Sequence, residues 1–92
     1  MTTKGVLHLK IFSEFMLNFN GKTVMACIFH KIYGTQKAII REFHPFVTED
    51  RVGFLINKRE VFMYRHEIEN VNFDHNTFTI NGILQKMVVK LI

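Results

Sequence analysis

The sequence predicts an all-β fold, an antiparallel meander of about six to eight short strands curled into a small barrel or roll. Three observations predict it. Apolar residues make up 48% of the 92 residues, and 10 of them are Phe. They alternate with polar residues over short runs, which is the period of a strand with one buried face. Turn-forming residues separate the runs, and no Gly-, Ser- or Pro-rich spacer divides the chain, so we expect a single domain over residues 1–92.

The first stretch, residues 6–19, fits two periods. Its odd positions are apolar except for one Ser, and this alternation favours a strand. Asn20-Gly21 then predicts a hairpin turn to a second strand at 24–28, because both residues tolerate positive φ. A helical period also fits the stretch, with Gly21 at the helix end. In that alternative, an N-terminal helix precedes a five-stranded sheet, which is the layout of Sm-like small barrels.

Turn signals divide the rest of the chain into further strands. The signals are residues 33–36, His44-Pro45, residues 57–60, residues 74–76 and Asn81-Gly82. The strands expected between them are 38–43, 52–56, 61–64, 68–73, 77–80 and 83–92. Short strands that follow one another in this way pair as antiparallel neighbours.

No pattern in the sequence carries catalysis. Ser13 lacks the Gly-x-Ser-x-Gly turn that exposes a nucleophile, and Cys27 lies in an apolar run that disfavours its thiolate. The histidines lack a Cys or carboxylate at a metal-ligand offset; they are His8, His30, His44, His66 and His75. We therefore expect that the protein is not an enzyme. We also expect that it has no catalytic residue, binds no metal or cofactor and acts on no small-molecule substrate.

The composition also indicates a compartment. A lone Cys cannot form an intramolecular disulfide, which indicates a reducing, cytoplasmic location. No apolar stretch reaches the ~20 residues that span a bilayer, and the N-terminus lacks a signal-peptide pattern, so we expect no membrane association. Heavy use of Phe, Ile, Asn and Lys indicates AT-rich codons. An accessory protein or inhibitor from a phage or mobile element is a hypothesis that fits this usage.

Binding is the class of function that remains, and a protein partner is the first expectation. A chain of 92 residues has a thin core, and its apolar residues exceed what that core can hide. The last strand is expected at a sheet edge, where it could pair with the same strand of a second subunit in a homo-oligomer. The residues of this candidate self-association strand are Met87, Val88, Val89, Lys90, Leu91 and Ile92.

The alternative is binding of single-stranded or duplex nucleic acid through a basic face of the sheet. The formal net charge is +4, and residues 1–41 carry six cations against one anion, which favours an anionic partner. The candidate contacts are Lys22, Lys31, Tyr33, Lys37, Arg41, Lys58 and Arg59.

Overall fold

The computed structural model describes residues 13–92. They form a short helix, α1, over residues 13–17, eight antiparallel strands and one 3₁₀ turn at Arg65–Glu67. The strands are β1 (Val24–His30), β2 (Gly34–Ile40), β3 (Pro45–Val47), β4 (Arg51–Ile56), β5 (Arg59–Tyr64), β6 (Ile68–Phe73), β7 (Thr77–Gly82) and β8 (Gln85–Leu91). The prediction of an all-β fold with antiparallel strands is confirmed.

The strands make two open sheets instead of a closed barrel. The larger sheet has five strands in the order β2-β1-β8-β7-β6, and the smaller has three in the order β3-β4-β5. Helix α1 is present, as in the helical alternative, but two sheets stand in place of its five-stranded barrel. Apolar residues of both sheets and of α1 meet in one core, so the fold is built from two packed layers.

The core follows from strand alternation. In β1 every second residue from Val24 to Ile28 is buried, and the residues between them face away from the core. Phe43, in the connection between β2 and β3, is fully buried between the layers. Its ring centroid lies 5.2 Å from that of Phe54 in β4 and 6.1 Å from that of Phe78 in β7. A single loop residue thus joins the two sheets.

The strand predicted over residues 6–19 is wrong for the part that the structure describes, and residues 6–12 lie outside that part. Residues 13–17 are helical, and this conformation buries Met16 and Phe19 together, three residues apart on one face. Their exposed fractions are 0% and 1%. A strand would have placed the two side chains on opposite faces, because its side chains alternate. The burial of both decides between the two periods.

The Asn20-Gly21 pair lies in the turn that follows α1 and does not turn a hairpin. Gly21 has a φ of +78°, which a side chain would disfavour. Its N–H donates to the carbonyl oxygen of Phe43 at 2.7 Å, and the N–H of Phe43 donates to the carbonyl oxygen of Lys22 at 3.0 Å. The positive φ expected here is present, but it serves the turn after α1, which these two hydrogen bonds fix beside Phe43.

Several other turns are shorter or earlier than predicted. The β1–β2 turn lies at residues 31–33, two residues earlier than expected. Pro45 begins β3, an edge strand, where its missing donor is tolerated. Only Asn57 and Lys58, with φ of 50° and 68°, separate β4 from β5. Residues 59–60 of the predicted loop therefore belong to β5, because two residues with positive φ are enough to turn a hairpin.

The β7–β8 turn departs furthest from the prediction. Asn81 and Gly82, predicted as the turn, are the last residues of β7, and the turn falls on Ile83 and Leu84. Gly82 is closely packed, since a Cβ added to it would meet the sulfur of Met63 in β5. Two large apolar side chains therefore occupy a turn, where polar residues are usual.

The last strand is not an edge strand, so the premise of the predicted self-association strand is wrong. β8 pairs with β1 along one side and with β7 along the other. A dimer that paired residues 87–92 with a second copy would need this sheet to open. Among the described strands, the edges of the larger sheet are β2 and β6.

Candidate binding surfaces

The outer face of the larger sheet is formed by the residues that alternate with the core positions. Its residues are Thr35, Lys37 and Ile39 of β2; Met25, Cys27 and Phe29 of β1; Lys86, Val88 and Lys90 of β8; Thr77, Thr79 and Asn81 of β7; and Asn70 and Asn72 of β6. All of these side chains are exposed or half-buried, whereas their neighbours on the inner face supply half of the buried core residues.

Three lysines lie on this outer face, which carries no carboxylate. Lys37 on the edge strand β2 lies opposite Cys27 of β1, and Lys86 on β8 lies opposite Phe29 of β1. Lys90 follows Lys86 by four residues and therefore lies on the same face. The carboxylates near the β6 rim of this face are those of Glu69, in the bulge between Ile68 and Asn70, and of Asp74, which directly follows β6. The face is accordingly positive at its β1–β8 half.

These lysines have no ion-pair partner in the described part of the chain. Over residues 13–92 the ion pairs join Arg51 to Asp50 and Glu60, and His44 to Glu42. Residues 1–12 contain no Asp or Glu, so their side chains cannot supply a carboxylate. The charge of the outer face is therefore available to an external anion.

The β6–β7 half of the outer face presents neutral hydrogen-bonding groups. Asn81 Nδ2 donates to Asn70 Oδ1 at 2.8 Å, and Asn72 Nδ2 donates to the same oxygen at 3.4 Å. Thr77 and Thr79 lie on the adjoining strand of the same face. The outer face thus combines lysines around an apolar strip with a group of amides and hydroxyls.

A second surface, the turn-end patch, consists of Ile32, Tyr33, Ile83 and Leu84. Their exposed fractions are 69%, 84%, 50% and 39%. The first two form the β1–β2 turn and the last two the β7–β8 turn, and the turns are joined by a hydrogen bond from the N–H of Lys31 to the carbonyl oxygen of Leu84 at 2.9 Å. Four large apolar side chains therefore stand at one end of the larger sheet.

His30 fixes the β1–β2 half of this patch. Its Nδ1 accepts hydrogen bonds from the backbone N–H groups of Ile32 at 3.1 Å and Tyr33 at 3.3 Å. The Tyr33 ring packs on the imidazole, with ring centroids 4.6 Å apart. Because His30 of β1 bonds to the backbone of the turn, Ile32 and Tyr33 are held in a defined geometry.

The outer face of the smaller sheet uses its charge internally. Arg51 lies over the ring of Phe62, with 5.0 Å from its guanidinium carbon to the ring centroid. The same guanidinium contacts Asp50 at 3.4 Å and Glu60 at 3.2 Å. The N–H groups of Arg51 therefore already have carboxylate partners, and this face carries aromatic rings with little unpaired charge.

A shallow groove of about 450 Å³ lies between β2 and the β4–β5 turn. It is lined by residues 38–42 and His44 on one side and by residues 55–58 on the other. Arg41 and Lys58, both candidate nucleic-acid contacts, are among the lining residues, as are Glu42 and Asn57. The groove mixes charges of both signs and is open, so it presents no defined ligand site.

The structure distributes the seven candidate nucleic-acid contacts over several places. Lys37 lies on the outer face of the larger sheet, and Lys31 and Tyr33 lie at the turn end. Lys22 and Arg41 lie at the opposite end of β1 and β2, and Lys58 and Arg59 lie at the β4–β5 hairpin. The sequence reasoning grouped cations by proximity in the chain, and pairing of distant strands separates them.

Phe29, Lys86 and Lys90 also lie on the outer face, although the sequence did not group them with Lys37. They become neighbours only because β8, the last strand, inserts beside β1, the first. The signal available in the sequence was the alternation within residues 85–91, in which both lysines are out of phase with the apolar core positions. The alternation does not indicate which strands β8 pairs with.

No cluster of metal-ligating side chains forms over residues 13–92. No group of three or more His, Cys, Asp or Glu side chains in this part of the chain could hold a metal ion. Cys27 is half-buried on the outer face between Lys37 and Val88, and His8 lies outside the described residues.

Comparisons with known proteins identify no relative. No family model matches the sequence, and neither the curated proteins nor the solved structures give a significant match. No helix in the described part of the chain is long and apolar enough to cross a membrane.

Proposed function

We propose that this protein is a non-enzymatic binding protein that associates with a second copy of itself through the turn-end patch. The observation that carries the proposal is the exposure of Ile32, Tyr33, Ile83 and Leu84 on two joined turns. Turns ordinarily carry polar residues, and placing four large apolar side chains there leaves them in water. A partner surface would remove this cost.

The size of the patch indicates a weak association. With about 200 Å² for a fully exposed side chain of this size, the four residues present roughly 500 Å² of apolar surface. The largest patch on a typical monomer covers about 300–600 Å² and is often functional. Two such patches bury about 1,000 Å² together, at the low end for specific interfaces. The dimer should therefore exchange with monomer as concentration changes.

A second copy suits the patch because the patch carries little charge. A twofold interface brings identical residues together, so a charged patch would repel its own copy. None of the four patch residues is charged, and the cation nearest in the chain is Lys31, in the β1–β2 turn itself. The β2 edge is less suitable, because Lys37 lies near the middle of that strand and would oppose its counterpart.

The experiment compares two double variants by light scattering after size exclusion over a range of concentrations. Ile32→Gln with Ile83→Gln makes the patch polar. Ile39→Gln with Ile92→Gln is the matched control, because these residues are also exposed, at 67% and 66%, but lie elsewhere. We expect the wild-type mass to rise from that of one 10.9 kDa chain with concentration.

The same rise is expected for the control and not for the patch variant. A wild-type mass of one chain at every concentration would contradict the proposal. So would equal loss of association in both variants, because it would place the interface outside the patch. Circular dichroism of each variant shows whether the fold is retained.

A further inference from the structure

We infer that the outer face of the larger sheet binds single-stranded nucleic acid, independently of the self-association proposed above. Lys37, Lys86 and Lys90 would contact phosphates, and Phe29 would stack on a base. The amides around Asn81 would meet base edges. Of these residues, the sequence indicated only Lys37 as a nucleic-acid contact.

The charge of the face carries the inference. It has three lysines and no carboxylate, and none of these lysines has an ion-pair partner among residues 13–92. Unpaired lysines on one face form the positive surface that a phosphate backbone requires. Two carboxylates lie near the β6 rim of the face. Glu69 lies in the β6 bulge. Asp74 directly follows β6, where its N–H donates to the carbonyl oxygen of Thr77, the residue that pairs with Lys90.

The spacing of the lysines fits a flexible chain of phosphates. Lys86 and Lys90 lie about 13 Å apart along β8, from a rise of about 3.3 Å for each residue. Lys37 lies two strands away, about 10 Å across the sheet. A single strand can follow a bent path over these points, whereas a duplex would meet the sheet along a rigid cylinder.

Phe29 and the amide group favour unpaired bases over other anions. Phe29 is 42% exposed and lies between Lys86 on one neighbouring strand and Thr35 on the other. The Phe29 ring can stack only on a base whose face is free. The bases of a duplex are stacked on one another, so they offer no free face to a side chain outside the grooves. Asn81 and Asn70 add donors and acceptors on the far side of β8 from Phe29. An acidic protein segment would use the lysines and leave these amides without a role.

The test measures the fluorescence anisotropy of a labelled oligothymidylate of about 20 nucleotides. Lys86→Glu with Lys90→Glu removes the proposed phosphate contacts. Lys58→Glu with Arg59→Glu is the matched control, because it changes the net charge equally at the β4–β5 hairpin of the other sheet. We expect about a tenfold or greater loss of affinity in the first variant and a much smaller loss in the control. Equal losses would overturn the assignment.

Three further results bear on the same inference. The logarithm of the wild-type binding constant should fall with the logarithm of salt concentration at a slope near −2, as three contacts at about −0.7 each predict. Phe29→Leu keeps an apolar residue and should still weaken binding several-fold, because it removes stacking. Polyglutamate or a duplex of the same sequence that competes as well as the unlabelled oligonucleotide would overturn the inference.

The outcome is separable from that of self-association. The Ile32→Gln, Ile83→Gln variant should bind the oligonucleotide as the wild type does, and the Lys86→Glu, Lys90→Glu variant should keep the wild-type dependence of mass on concentration. Loss of oligonucleotide binding in the first of these variants would show that both activities use one surface and would contradict the assignment to the outer face.

Discussion

The two sheets use the charge of their outer faces in opposite ways. On the smaller sheet, Arg51 contacts Asp50, Glu60 and the ring of Phe62. On the larger sheet, Lys86 and its two companions have no carboxylate partner in the described part of the chain. Substitution of a cation should therefore lower stability on the smaller sheet and weaken binding on the larger sheet.

The largest expected effect concerns the tight packing of the smaller sheet. Gly53 lies in the middle strand, between Phe46 on β3 and Phe62 on β5. A Cβ added to Gly53 would meet the backbone carbonyl oxygen of Val61, which cannot move without the strand. We expect Gly53→Ala to lower the free energy of unfolding by about 3 kcal/mol, as measured by urea denaturation.

A matched glycine on the larger sheet sharpens this prediction. At Gly82 the closest atom to an added Cβ is the sulfur of Met63, which belongs to a flexible side chain. Gly82→Ala should therefore cost less than Gly53→Ala. An equal or larger loss for Gly82→Ala would show that the smaller sheet is not the more tightly constrained of the two.

A smaller effect compares one cation from each outer face. Arg51→Met removes two ion pairs and a cation–π contact, and we expect a loss of about 1 kcal/mol, because the guanidinium is partly exposed and screened by solvent. Lys86→Met should change the free energy of unfolding by less than about 0.5 kcal/mol. Thermal or urea unfolding of both variants measures the difference. Equal losses would contradict the distinction between the faces.

The smallest effect concerns Asp50 in the β3–β4 turn. A hydrogen bond from the Thr48 hydroxyl at 2.8 Å, with a further contribution from Arg51, holds the pKa of the Asp50 carboxyl below its ordinary value. A lowered pKa means that the ionised carboxylate stabilises the native turn. That contribution is present above the ordinary pKa and is lost as pH falls through the lowered one.

Replacing the hydroxyl tests this cause. In Thr48→Ala the pKa of Asp50 should rise toward its ordinary value, as followed by a carbon-detected NMR titration of the carboxyl group. The fall of the free energy of unfolding on the acid side should shift slightly to higher pH. An unchanged pKa in Thr48→Ala would assign the shift to Arg51.

Local patterns predicted the strands well because each depends on its own residues. The alternation of Val52, Phe54 and Ile56, for example, predicted β4, and the structure buries all three. The stretch that includes Met16 and Phe19 was ambiguous, because its residues fit both periods and only tertiary burial chose the helix. Tertiary packing also decides the conformation of Asn81-Gly82. Gly82 packs closely against Met63, and the pair belongs to β7 instead of forming a turn.

The candidate surfaces were harder to predict because they depend on pairing between distant strands. Phe29 and Lys86 lie far apart in the chain and meet only because β8 inserts between β1 and β7. The turn-end patch likewise needs two separate turns at one end of the sheet. The surplus of apolar residues was visible in the composition, but its location was not.

The proposed self-association is tested most directly by a dilution series of ¹⁵N–¹H correlation spectra of the wild-type protein. If the turn-end patch is the interface, the amide signals that shift with concentration should be those of residues 31–33 and 83–85, with little change on β6 or at the β4–β5 hairpin. Spectra that do not change with concentration, or shifts centred on the β2 edge, would contradict the account.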